Sequence, residues 1–543
     1  MPVVSFEYDD LITLLGRRVP KTKIAERLPM LGCSIEQANA QWDVEFFPDR
    51  VDCFSVEGVA RALRSFLGYA PGLRRYPVKR SDVRLIVEPV DIRPYVAGAL
   101  VHLPLNDVIV RSIIDLQEKL HQTIGRNRKK MAIGLHDFSA VTPPITYKPV
   151  DPGYRFVPLG ADREMSLRKI LKRHEKGIAY APLLEGAARY PLLVDAKEEV
   201  LSFPPVINGT LTRIIPQTKE LFIDVTGTDD GVVARTMAIL VSALAERGGD
   251  IKAVGVYENK AKKGDKYKNK SKSKGVKWTP NLEPTPYKLE ARYAQSLLSP
   301  TLSREQMIEG LQRMGLSAVP SPDGDIDVLV PAYRADVLHP IDLVEDIAIG
   351  YGYERFTPCL PREPTWGREL EVEDQCTECR EAMIGLGFQE VVTPTLVDPS
   401  LQTDETGVEI LNPIASYGRV RGSIIPSLLG VLRANRDQPT PQAIFEIGDV
   451  VYRGRNVRKM AAARIHSKAS FTEAKSIVQS LLGDGWDPKE SKRVGFIDGR
   501  CASIVAGKKE VGYFGELHPR MITGFELGQP VIAIEMTVGD HWK

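Results

Sequence analysis

The chain has 543 residues, 43% of them hydrophobic and 26% charged, with a formal net charge of +2. That length predicts about three or four domains, and the near-neutral charge leaves nucleic-acid binding to local patches rather than a global field. No apolar run reaches spanning length, and MPVVSFEYDD lacks the basic stretch and apolar core of a signal peptide, so a cytoplasmic protein without a membrane helix is expected. Six cysteines do not make a disulfide framework in a chain this long. No HExxH or GxxxxGK[ST] supports a zinc-protease or P-loop reading.

Residues 1–84 predict a small α+β domain. After the turn at Pro48-Asp49, Ser55 suits an N-cap. Val56, Val59, Leu63 and Phe66 then give one apolar helical face, closed by Gly68. Arg50 reads either as a functional arginine or, the commoner role, as a solvated turn arginine. In the next block, residues 85–278, Val108–Ile114 suits either a strand or the entry to a helix, and Leu116–Leu120 continues helically. Arg126, Arg128, Lys129 and Lys130 then form a compact basic cluster. Its readings are a solvated face or a set of phosphate contacts, which need only cations. His121 and His136 flank it without a metal-ligand partner at recognisable spacing. Phe222–Gly227 predicts a buried strand, and Asn208-Gly209 is a strong turn dipeptide. Residues 259–277, rich in lysine and poor in apolar side chains, cannot bury enough surface to fold alone and read as a surface loop or linker.

In residues 279–357, Ser303-x-x-Gln306 is a capping box, followed by Met307, Leu311 and Met314 at helical spacing and by Gly315. Asp325–Val330 predicts a short strand. His339-Pro340 then starts a helix in which Ile341, Val344, Ile347 and Ala348 form the expected buried stripe. Asp342, Glu345 and Asp346 fall at i, i+3 and i+4 on another face, and Asp336 precedes them. Such acids either complement the helix dipole or hold a hard cation, since Mg²⁺ takes oxygen ligands and borrows the rest from water or a partner. In residues 358–543, a helix is expected from Glu371 to Ile384, with strands at Glu390–Thr393 and Ile444–Ile447. Cys376-Thr-Glu-Cys379 is a lone C-x-x-C with no second pair and reads as ordinary helical thiols.

Several of these stretches together resemble the phenylalanyl-tRNA synthetase β-subunit family, in its shorter archaeal and eukaryotic form. They are the acids of Asp336–Asp346 with Ile-Ala-Ile-Gly-Tyr-Gly-Tyr after them, FPDRVDCFSVEGVAR, the Pro-Pro-Val-Ile-Asn run before Gly209, and Gly512-Tyr-Phe-Gly-Glu-Leu-His-Pro519. The resemblance implies a multidomain α+β protein. It would contain an editing domain, a winged-helix-like module and a catalytically inactive class II synthetase-like module with an antiparallel sheet. It also implies an (αβ)₂ assembly with an α subunit that holds ATP and activates phenylalanine for tRNA(Phe). Under it, Asp336, Asp342, Glu345 and Asp346 would bind a Mg²⁺ shared with α, and Ser202, Asn208 and Thr226 would line the editing pocket. No side chain there reads as a nucleophile or general base, which points to hydrolysis by a positioned water. Arg126, Arg128, Lys129 and Lys130 are the expected tRNA contacts. The competing expectations are a stand-alone RNA-binding protein and an independent aminoacyl-tRNA deacylase.

Overall fold

A computed structural model describes residues 2–39, 41–258, 276–358, 360, 365–401 and 407–539. The chain forms two compact units, residues 1–359 and 360–543. Most of the lysine-rich 259–277 segment lies outside the described residues, except that Lys277 begins the strand Lys277–Thr279.

Among the described residues the first unit holds three larger sheets and a two-stranded ribbon of Arg155–Phe156 with Met165–Ser166. Val3–Glu7, Gln41–Phe46 and Cys33–Ala38 make a small antiparallel one, whose inner side chains Val4, Phe6, Trp42, Val44 and Phe46 are buried. The helix Val56–Phe66 packs beside it. Ser55 caps that helix by accepting from the Gly58 N–H, and the expected apolar face is the buried one.

A ten-stranded sheet dominates the unit. Its path runs Ile207–Asn208, Val200–Phe203, Tyr190–Val194, Ile145–Val150, Val78–Val87, Asp250–Glu258, Tyr95–His102, Glu220–Gly227 and Met131–Asp137, with Lys277–Thr279 added to Asp250–Glu258. Two expected domain edges fall inside this sheet. The strand Val78–Val87 crosses the edge at residue 84, and Lys277–Thr279 crosses the one at 278. Along Glu220–Gly227, Leu221, Ile223 and Val225 face one way and join the helix Asp230–Glu246 in the main core. Phe222, Asp224 and Thr226 face the other way, as the two-residue strand repeat requires. The segment Val108–Ile114 is helical, within Asp107–Gln122.

The third block pairs a sheet of Thr285–Leu289, Ile326–Val330 and Ser317–Pro320 with the helices Arg304–Arg313 and Pro340–Tyr351. The Ser303–Gln306 capping box is present. The two helices touch through glycines, since a Cβ on Gly350 would lie 2.0 Å from the Gly310 carbonyl oxygen. The buried face of Pro340–Tyr351 is Leu343, Val344, Ile347 and Ala348, whereas Ile341, expected in that stripe, is exposed. It sits in the first turn, ahead of the point where Arg304–Arg313 covers the helix.

Arg50 is the largest departure from expectation in this unit. It is 6% exposed and holds Asp52 through bonds of 2.8 and 3.1 Å. Asp52 also accepts from Arg61 at 3.3 Å, and Arg61 reaches Ser242 of the large-sheet block at 3.1 Å and lies 3.8 Å over the Tyr333 ring of the third block. Burial alone would lift the Asp52 carboxyl. Arg50 and Arg61 more than offset that and hold it well below the usual carboxylate range.

The second unit is built on a seven-stranded sheet in the order Gln389–Glu390, Gln442–Tyr452, Arg455–Ile465, Val531–Thr537, Lys509–Leu517, Phe496–Ala506 and Trp486–Glu490. All its pairings are antiparallel except the first. The helix Glu371–Gly385 buries Cys376 and Cys379 on one face, and burial pushes both thiols up. Of the expected strand Glu390–Thr393 only Glu390 lies in a strand, Gln389–Glu390, with the Val391 N–H donating once more to the Phe445 carbonyl at 2.8 Å. Thr393 instead bonds the Glu446 carboxylate at 2.6 Å.

Removing the carboxylate that Arg50 and Arg61 share leaves buried positive charge uncompensated. Asp52→Asn is therefore expected to cost roughly 3–5 kcal/mol in urea unfolding, and Arg27→Ala, at the exposed Arg27–Glu354 pair, no more than about 1 kcal/mol. Equal effects would show that burial does not decide the difference.

Candidate functional site

The large sheet curls until its two end strands meet. Asn208, on one end strand, donates through Nδ2 to the Leu135 carbonyl of the other at 3.3 Å. Asp137 N–H donates to the Thr212 carbonyl just beyond, at 2.9 Å. A cavity of about 900 Å³ lies inside the curl, lined among others by Leu135, Ser202, Phe203, Ile207, Asp224 and Thr226.

All three expected pocket residues line this cavity, but Asn208-Gly209 is not the turn. The chain reverses through Pro204-Pro205-Val206, closed by a 2.7 Å bond from the Val206 N–H to the Phe203 carbonyl. Asn208 then pairs with Ser202 across the hairpin. Gly209 continues the backbone against Val200, where a Cβ would lie 2.2 Å from a carbonyl oxygen.

The polar floor contains groups that sequence patterning missed. His136, fully buried, is bonded through Nε2 to Asp224 Oδ1 and through Nδ1 to Thr212 Oγ1, each at 2.8 Å. Ser202 Oγ donates to the same Asp224 oxygen at 3.5 Å. The signal was present in the strand registers. Gly134 lies opposite Asp224 and Ala132 opposite Thr226, and a Cβ on Gly134 would sit 2.1 Å from Asp224 Oδ1. A glycine inside a strand marks such a close approach. The Thr226 hydroxyl is fully buried and has no hydrogen-bond partner among the described residues.

The basic cluster divides. Arg126 and Lys129 are exposed, and Lys130 pairs with Asp229 at 3.2 Å. Arg128 is buried, contrary to the expected tRNA contact. It donates to the Pro205 and Val206 carbonyls at 3.2 and 3.1 Å and to Glu118 at 2.9 Å, so it fastens the hairpin turn over the cavity. Arg126, Asn127 and Arg128 take φ of 47°, 52° and 65°, a left-handed run that turns the third side chain inward. Arg93 holds this loop to the floor by donating to the Arg128 and Thr226 carbonyls. Burial lowers its guanidinium to about 10.

The acidic helix has its expected start, with His339 as N-cap and Pro340 in the first turn. Its four acids do not converge on one point. Arg334, 6% exposed, donates to Asp336 at 2.6 Å and to Asp346 at 2.9 Å. Burial lifts the Asp346 carboxyl to about 6 even against Arg334. Asp342 accepts from the Leu338 and His339 N–H groups at 2.8 and 2.7 Å, and Glu345 is exposed. Among the described residues no three metal-ligating side chains are placed to hold an ion. A four-carboxylate Mg²⁺ site therefore does not fit this chain: a guanidinium already supplies the counter-charge to two of the acids. Millimolar Mg²⁺ or its removal by EDTA should leave the melting temperature of the chain within about 1 °C, and a rise of several degrees would reveal a cation held by the folded chain.

In the second unit, Arg421 is 1% exposed and donates to Glu446, Thr393 and the Asp449 carbonyl. This arginine–glutamate pair is internally satisfied and not free to hold phosphates.

His121 supplies a pH handle beside the pocket. Its Nε2 accepts from the Ile133 N–H at 2.9 Å, and burial holds it down to about 4. As pH falls from about 6.5 to 4, the unfolded chain takes up a proton that the folded one refuses. Stability should fall through that window by roughly 3 kcal/mol, and His121→Gln should flatten the slope. Denaturant melts at pH 4.5 and 7 check this; identical slopes in both proteins would contradict it.

A model described as the phenylalanyl tRNA synthetase beta chain CLM domain matches residues 358–538, and one described as the tRNA synthetase B5 domain matches residues 287–353. The chain is 43% identical over 99% of its length to the phenylalanine–tRNA ligase beta subunit of Archaeoglobus fulgidus, covering 98% of that protein. It is 42% identical to the same subunit of Methanothrix thermoacetophila, with 99% of both chains covered. A crystal structure of an N-terminal fragment of the phenylalanyl-tRNA synthetase beta subunit from Pyrococcus horikoshii is 35% identical. It superposes with a TM-score of 0.60 over 65% of this chain and 100% of the fragment.

Proposed function

Because the chain belongs to the phenylalanine–tRNA ligase beta-subunit family, we propose that it is the non-activating half of that ligase and removes wrongly attached tyrosine from tRNA in the cavity of the curled sheet. An apolar site shaped for phenylalanine rejects an added hydroxyl only weakly. A second site with polar groups at its floor corrects the error.

The observation that carries this reading is the trio Ser202, Asp224 and the unpartnered Thr226 hydroxyl on one wall of the cavity, with Asp224 held from behind by His136 and His136 in turn by Thr212. A buried hydroxyl without a partner costs on the order of 1–3 kcal/mol, which a polar ligand atom would relieve. Asp224 is a carboxylate within a water's reach of the cavity and suits the acceptance of a proton from water attacking the ester. His136 holds its position. Phe203 and Ile207 offer apolar surface to the ring, and Arg173, Lys176 and Arg213 at the same cavity suit RNA phosphates. Exposed Arg126 and Lys129 extend that charge.

ATP and phenylalanine activation belong to an α subunit in this reading. Trp366, Val392, Leu411 and Ile414 in the second unit are each 88–90% exposed, apolar side chains that a docked α subunit would cover. A Mg²⁺ shared with that partner would find Asp342 and Glu345 on this chain and take its other ligands elsewhere. Nothing in the structure favours a stand-alone RNA binder or an independent deacylase.

In the ligase purified with its α partner, Asp224→Asn should slow tyrosyl-tRNA hydrolysis by about 10² or more while phenylalanine charging is unchanged. Asn208→Ala should give the same split more weakly. Undiminished hydrolysis in both variants would remove the cavity as the editing site.

A further inference from the structure

A second cavity, of about 580 Å³, lies where residues 73–80, 278–284 and 331–333 of the first unit meet. Arg74, Arg75, Arg80, Trp278 and Asn281 line it, and Glu283 is the one acid among the lining residues. The charges here are less committed than those around them. Lys79 is bound to Asp250 at 3.1 Å and Lys277 to Asp230 at 2.8 Å. Arg74 has only a 3.8 Å approach to Glu246, a carboxylate already serving Arg64 and Tyr76. Arg75 and Arg80, both exposed, have no ion pair among the described residues. The Arg80 guanidinium lies 4.9 Å over the Trp278 ring, so cation and aromatic face are presented together.

We propose that this groove docks a single-stranded segment of RNA, with phosphates on Arg75 and Arg80 and one base stacked at Trp278. Cations interleaved with an aromatic platform are what sequence-tolerant single-strand binding uses. The choice of RNA rests on the tRNA-ligase reading above. A free nucleotide shares the phosphate chemistry, but the lining residues include no glycine and no helix N-terminus to cradle a terminal phosphate. The arginines follow one another along the chain from Arg74 to Arg80, an arrangement that suits a backbone passing over them.

The test is binding of a labelled 12-nucleotide single-stranded RNA to the full chain across a salt series. The wild type should bind with affinity that falls as salt rises. Arg75→Gln with Arg80→Gln should weaken binding about tenfold or more and lower the log–log salt slope by about 1 to 2. Trp278→Ala should cost about tenfold, and Trp278→Phe should recover most of it, which separates stacking from misfolding. Unchanged affinity and slope in the arginine pair, or no binding by the wild type, would overturn the proposal. Displacement of the RNA by an equal concentration of ATP would assign the groove to a free nucleotide and also overturn it. Hydrolysis of tyrosyl-tRNA reports on the other cavity, so the two readings fail separately.

Discussion

Three arginines and three aspartates, Arg50, Arg61, Arg334, Asp52, Asp336 and Asp346, sit largely out of water where the blocks of the first unit join. Their formal charges cancel, and the groups are close enough that Arg50 feels Asp336 and Asp52 feels Arg334. Burying ions is unfavourable unless the geometry returns the lost hydration, so the network exists only when all its contributors are docked. That makes it a condition for the relative placement of the small N-terminal sheet, the ten-stranded sheet and the acidic helix. The main hydrophobic core joins the small N-terminal sheet to the ten-stranded sheet, from Val4 through Ile223, and takes in Met314 and Tyr333 of the third block, while the acidic helix buries Leu343, Val344 and Ile347 in a cluster of its own.

The pocket inherits its shape from that placement. The outer face of Glu220–Gly227 is fixed against the helix Asp230–Glu246, which Arg61 reaches through Ser242. The inner face is thereby committed to holding Asp224 and Thr226 within the curl. Arg128 and Arg93 then act as clamps, one on the proline turn and one on the floor. Both are arginines spent on backbone carbonyls, a use in which five donors in a rigid fork are worth more than net charge.

Much of this was legible in the sequence. Ser55, the Ser303–Gln306 box and the His339-Pro340 start are local signals, and local chemistry decided them. The same is true of the helix through Cys376 and Cys379. What failed were judgements in which charge was taken as evidence of exposure. Arg50 and Arg128 read as surface cations, and both are buried: Arg50 against Asp52, a carboxylate two residues on that Arg61 also holds, and Arg128 against the Pro205 and Val206 carbonyls far along the chain. The four acids near Asp342 read as one cluster, yet Arg334, two residues before Asp336, divides them. Ser202, Asn208 and Thr226 line one cavity, but His136 did not suggest itself, since its partners Asp224 and Thr212 lie about eighty residues on. Only strand register brings them together. The expected edges at residues 84 and 278 failed for a related reason: the large sheet recruits strands from both sides of them.

Native-state hydrogen exchange on the full chain tests most directly whether the buried charges make the first unit one cooperative body. The account predicts that amides of Val56–Phe66, Glu220–Gly227 and Pro340–Tyr351 exchange with a common opening free energy and a common denaturant dependence. If the acidic helix opens at distinctly lower free energy while the large sheet stays protected, the network does not join the blocks and the account is wrong.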